Sequence, residues 1–139
     1  MTGYTPENVE LLGPAECREL VDGTHVARLA LSVGGEPDIY PLTVRTQEGR
    51  AVFRTVPGTK LATLVTNARV ALEWDGVRPD HAWSVVARGT AARLETAAEV
   101  AAVEASPEPL EPVVDVPTED WVAVTLGEVT GRRFRRPDR

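Results

Sequence analysis

Histidine, cysteine and lysine are almost missing from this chain of 139 residues, which holds two, one and one of them. The lone Cys17 excludes an intrachain disulfide and suits a reducing compartment. His25 and His81 lie far apart, and the sequence contains no CxxC, HxxEH or three-histidine spacing, so no dedicated metal site is expected. GxSxG, Walker and GxGxxG patterns are also missing, which removes the usual signatures of serine hydrolases, P-loop NTPases and dinucleotide-binding folds. Apolar runs stop well short of the ~20 residues a membrane helix needs. The segment from Met1 to Glu7 lacks the basic and apolar regions of a signal peptide. The expected location is therefore cytoplasmic, with no membrane partner. With so few side chains suited to acid–base or nucleophilic work, the protein either binds without catalysing or borrows its chemistry from a cofactor.

Positive charge is scarce over most of the chain. The formal net charge is −6. Residues 132–139 hold five arginines and one aspartate, whereas residues 1–131 carry ten cations against twenty anions. A body this acidic does not suit a nucleic-acid phosphate backbone. The basic end has two readings: a solvated terminus, or a group in which Arg132, Arg133 or Arg135 reaches an anionic ligand or a partner subunit.

The length and the hydrophobic content of 42% fit one globular domain over 1–139. Residues 1–24 read as an N-terminal helix segment, with Pro14 at a first helical position and Gly23 at its end. Residues 25–95 read as a barrel core. It contains strands at His25–Val33, Asp38–Thr46, Ala51–Val56, Arg69–Gly76 and Ala82–Glu95, with a hairpin at Gly34-Gly35 and a bend or bulge at Gly89. A helix is expected over Thr59–Asn67. Residues 96–118 read as a helix opened by a Thr96–Glu99 capping box and then a Pro-rich linker. Residues 119–139 supply two closing strands, Trp121–Leu126 and Glu128–Arg135, and the basic tail. The expected fold is mainly β: a small six- to seven-stranded antiparallel barrel with two or three short helices.

Two segments carry the chemistry. In Phe53-Arg54-Thr55-Val56-Pro57-Gly58-Thr59-Lys60-Leu61 a strand ends, a Pro-Gly turn follows and a helical pattern begins. Two hydroxyls (Thr55, Thr59), two cations (Arg54, Lys60), the permissive Gly58 and the open N–H groups of a helix start make an anion site. The plainer reading is a strand–turn–helix joint with Thr59 as N-cap and Lys60 in water. In the second segment, Trp83 and Ser84 open a strand after a polar loop. They either offer an indole and a hydroxyl at a barrel mouth, or leave Trp83 in the core with Ser84 incidental. His25 and His81 read as surface or edge histidines, and Cys17 as core packing.

The ordered series from Val26-Ala27-Arg28-Leu29-Ala30 through Gly35–Leu42, Val52–Leu61 and Arg69–Asp75 to Trp83–Gly89 resembles the pyridoxamine 5′-phosphate oxidase-like, FMN-binding split-barrel family. A weaker echo is Val129–Phe134. The resemblance implies a homodimer with FMN at the subunit interface, acting on a small-molecule substrate. It places Arg54 and Thr55 in the family's cofactor-contacting pair, and Thr59 and Lys60, beside Gly58, in its phosphate-binding pair. Tyr40, Leu42 and Arg45 fall on the strand along the flavin ring, and Trp83 and Ser84 where a neighbouring strand contributes. No catalytic side chain is implied. The chain departs from the family's oxidases in having Thr59 where they carry arginine, and in lacking their substrate-clasping residues and closing Arg-x-His. The shorter relatives it looks like include nitroimidazole reductase-like proteins and deazaflavin (F420)-dependent reductases. The reading is an FMN-dependent oxidoreductase, with an F420-dependent reductase or a non-catalytic flavin- or haem-binding protein as alternatives.

Overall fold

Alternate burial along most strands sets the architecture. In β2 (Val26–Val33), Ala27, Leu29 and Leu31 are buried, and in β6 (Arg69–Val77) so are Val70, Leu72 and Trp74. One face of each strand therefore closes on a common core. The computed structural model describes residues 7–55, 64, 67–105 and 120–137. The other described strands are β1 (Val9–Leu12), β3 (Glu36–Thr43), β4 (Arg45–Gln47), β5 (Arg50–Thr55), β7 (His81–Arg93) and β8 (Asp120–Arg135). The helices are α1 (Pro14–Asp22) and α2 (Ala97–Glu104).

The strands form one antiparallel sheet in the order β3-β2-β6-β7-β8-β5-β4, with β1 added beside β8. The two ends of that path, β3 and β4, are joined covalently through Val44, whose N–H donates to the His25 carbonyl at 2.7 Å. The sheet thus curls back on itself without a ladder between its ends. Ala51, Phe53, Val122 and Val124 point into the main core, while Val52, Trp121 and Ala123 point to the other face, where Val103 of α2 covers them.

The expected mainly β, antiparallel split-barrel class is what the structure shows. The described strands number eight because of three local differences. Val9–Leu12, expected within a helical segment, pairs as a strand with Gly131–Phe134. The second strand breaks at Val44. The two closing strands are one, running unbroken through Gly127. The hairpin turn at Gly34-Gly35 has φ of 54° and 85°, the left-handed pair that a tight two-residue turn requires. The bulge falls beside Gly89, between Ala87 and Gly89 on β7. The capping box is formed, with Thr96 Oγ1 accepting from the Glu99 N–H at 3.1 Å. The helix expected over Thr59–Asn67 lies mostly outside the described residues, as does the Pro-rich stretch 106–118. Of that span the described residues are Leu64, helical and buried in the main core, and Asn67, which is not helical. Within the basic end, Arg132–Arg135 lie in β8. Arg133 pairs with Glu10 at 3.1 Å and with Glu16, and Arg136 Nη1 donates to the Arg78 carbonyl at 2.9 Å.

Candidate functional site

Of the residues singled out from the sequence, Arg54 and Thr55 lie at the C-terminal end of β5, and Arg45 on the neighbouring β4. Antiparallel pairing puts Arg54 opposite Trp121 and Thr55 opposite Asp120. Because side chains alternate across a strand, the two neighbours serve different faces. Arg54 is exposed on the α2 face, with its guanidinium carbon 5.4 Å from the centre of the Trp121 ring. Such a cation–π contact is worth about 0.5–1 kcal/mol at an exposed site and restrains the arginine. Thr55 is buried on the barrel side, next to the buried Asp120. Asp120 accepts from Arg93 Nη2 at 2.7 Å, and Trp121 Nε1 donates to Glu104 at 3.2 Å.

β4 brings the other strand of the site alongside. Arg45 lies opposite Val52, two residues before Arg54. Its side chain is buried, and Nη2 donates to the Val103 carbonyl in the last turn of α2 at 2.6 Å. A cation there satisfies an orphan carbonyl and offsets the negative end of the helix dipole. Upstream, Tyr40 pairs with Leu29 and Leu42 with Ala27. Leu42 is buried in the core, and Tyr40 packs half-buried against it. Gly58, Thr59 and Lys60 lie outside the described residues.

The second segment divides between two faces. Trp83 is buried in the core, opposite Gly76, where its indole fills the space a side chain would need. Ser84 turns outward, opposite Asp75 on β6 and Arg132 on β8. It borders a charged cluster in which Arg28 Nη1 contacts Glu73 at 3.1 Å and Asp75 at 2.9 Å. Partial burial, followed by a hydrogen bond to Asp75 and the charge of Asp75, pushes the Glu73 carboxyl up to about 7. Asp75 is pushed down, chiefly by the hydrogen bond it shares with Glu73. His25 is exposed, and His81 Nδ1 lies 2.7 Å from Asp80. Cys17 is buried, and desolvation, aided by the charge of Glu16, raises its thiol above the ordinary value. That keeps it protonated and unreactive.

Asp120, Trp121, Arg93 and Glu104 at the β5 end were not singled out from the sequence. They come from three elements separated by up to 28 residues; strand register sets Asp120 and Trp121 opposite Thr55 and Arg54, and hydrogen bonds tie Arg93 to Asp120 and Glu104 to Trp121.

The family description pyridoxamine 5′-phosphate oxidase matches residues 13–133, nearly the whole chain. The chain belongs to the pyridoxamine 5′-phosphate oxidase-like family. Among solved structures, a Corynebacterium glutamicum protein provisionally described as a pyridoxamine 5′-phosphate oxidase is 26% identical with a TM-score of 0.81, covering 97% of this chain and 100% of its own. A Mycobacterium smegmatis protein described as FAD-binding is 31% identical with a TM-score of 0.74, over 91% of this chain and 98% of its own. A haem-binding protein from Mycobacterium smegmatis shares the fold at 20% identity and a TM-score of 0.65, over 82% of this chain and 51% of its own. Among curated proteins, none matches the chain. No described helix is long and apolar enough to cross a membrane.

Proposed function

We propose that this chain is an FMN-dependent oxidoreductase that holds the flavin phosphate at the C-terminal end of β5 and works as a homodimer with the cofactor at the interface. The observation that carries the reading is the strand end itself. An exposed Arg54, steadied by Trp121, precedes Thr55, whose side chain is buried on the other face of the strand, and the next five residues bring Gly58, Thr59 and Lys60. Arginine offers a forked donor, lysine a point charge and threonine a hydroxyl, a donor set that suits a phosphate monoester. Tyr40, half-buried on β3, would offer aromatic surface to a ring system, and Ser84 on β7 a polar group. Bound there, the flavin would supply the hydride and electron transfer that the chain's own side chains cannot. The protein's part would be to grip the phosphate, orient the ring and limit water around it. Arg45 would act from the side, holding α2 against the strand that carries Arg54.

The outer face of β2 and β3 fits a self-associating surface. Val26 and Ile39 both project there, 48% and 67% exposed.

FAD is the second reading, favoured by the description of the Mycobacterium smegmatis protein that is 31% identical. It contains the FMN half, so the same strand end would receive its ribityl phosphate. An F420 reading needs more cations for a longer acidic tail. Two arginines of the C-terminal cluster, Arg133 and Arg136, are already engaged within the chain. A titration of FMN, FAD and F420 against one preparation, with light scattering for the dimer, tests the proposal. FMN binding tightest, at one per chain in a dimer, supports it, and tighter F420 binding would overturn it.

A further inference from the structure

The opposite end of β5 from Thr55 borders a cavity of about 610 Å³ between α1, the β4–β5 turn at Glu48-Gly49 and the bulged crossing of β7 and β8. β5 has six residues, so this cavity and the Arg54–Thr55 end are roughly 17 Å apart along the strand. Its volume falls within the range of small-molecule sites. Val21, Leu126 and Val129 give it apolar wall. Two polar residues interrupt that wall. Trp74 is fully buried, and its Nε1 has no hydrogen-bond partner; Thr46 Oγ1 is also buried without one. An indole N–H can only donate, so what it lacks is an acceptor. Leaving such a group dry and unpaired costs free energy that a ligand oxygen would recover. The exposed Arg18, Asp22 and Glu48 complete the lining. Two carboxylates against one guanidinium make this entrance a poor one for an anion.

We propose that this cavity is a second small-molecule site, separate from the β5 end, which takes a neutral, largely apolar molecule of about two rings bearing a carbonyl oxygen. The oxygen accepts from Trp74 Nε1–H, with Thr46 Oγ1–H as a second donor, and the ring system rests on Val21, Leu126 and Val129. A carbonyl meets a donor-only indole, a neutral body tolerates the acidic entrance, and an apolar body matches the wall.

The test uses ¹⁵N-labelled full-length protein and two matched probes, 1-tetralone and tetralin, which differ in the carbonyl. The indole N–H resonance of Trp74 is assigned with Trp74→Phe. The expected result is a saturable shift of that resonance with 1-tetralone while the Trp121 indole stays still, and tetralin binding at least about tenfold weaker. Thr46→Val should weaken 1-tetralone several-fold. Val129→Trp, at a lining position that is 36% exposed, should abolish binding by filling the cavity. Saturating FMN should leave the 1-tetralone affinity unchanged. No saturable Trp74 shift, equal affinity for tetralin, or competition with FMN would each overturn the proposal. Failure of FMN to bind would leave it untouched, so the two readings fail separately.

Discussion

Arg54 stacks over Trp121 at 5.4 Å, and Trp121 in turn donates its indole N–H to Glu104 at the end of α2. A strand-end cation is thereby tied through one aromatic ring to a helix that packs on the outside of the barrel. Trp121→Leu keeps apolar bulk and removes the ring face. It should weaken FMN by a few-fold, matching a contact of about 0.5–1 kcal/mol. Arg54→Ala should cost more, about 1–3 kcal/mol, as a charged hydrogen bond is lost. Isothermal titration of the two variants would check the order; equal losses would remove Arg54 from the phosphate.

Arg93→Ala leaves Asp120 buried with its 2.7 Å donor gone. The expected loss is about 1–3 kcal/mol of stability, read from the midpoint of urea unfolding. Asp120→Asn should lose less, because no charge is then stranded in the wall. The reverse order would mean that Arg93 does not serve Asp120.

At Gly131 a methyl group would lie 2.5 Å from Cys17 Sγ and 3.3 Å from Leu12 and Val85. Gly131→Ala should therefore cost about 1–3 kcal/mol through overpacking. Adding Cys17→Ala removes the sulfur and should return part of that loss, giving a non-additive cycle. Additive losses in thermal unfolding would show that the clash lies elsewhere.

How far the fold could be read depended on how local each signal was. The Gly34-Gly35 hairpin, the Thr96–Glu99 capping box and the Pro14 helix start are written in adjacent residues, and each was legible. β1 was not, because Val9–Leu12 has no alternating pattern and gains its strand character only from pairing with Gly131–Phe134, over 100 residues later. The break at Val44 was hidden for a related reason. It arises because β3 pairs with β2 while β4 turns to pair with β5. At the candidate site, Arg54 and Thr55 were visible as a strand end before a turn. Asp120 and Trp121 were not, since only the β5–β8 register brings them opposite. Trp83 is a core residue, its indole set against Gly76.

The Glu73–Asp75–Arg28 cluster gives a pH signature. Folding raises the Glu73 carboxyl from its ordinary 4.5 to about 7, so between those values the folded chain holds a proton that the unfolded chain has released. Stability from this group is full below about 4.5, falls as pH rises and is gone above about 7. Asp75, pushed down, acts in the opposite sense, its contribution lost only as pH falls below its ordinary 3.8. Glu73→Gln keeps a donor toward Asp75 and should flatten the decline between about pH 5 and 7. An unchanged slope in urea unfolding across that range would place the titration on another group.

The most direct test of the central claim is a spectrophotometric FMN titration of the purified chain beside Lys60→Ala. The account predicts saturation at one FMN per chain with a shifted flavin absorbance band, and affinity lower by about 1–3 kcal/mol without the lysine. A protein that is colourless as purified and shows no saturable response to FMN would contradict it.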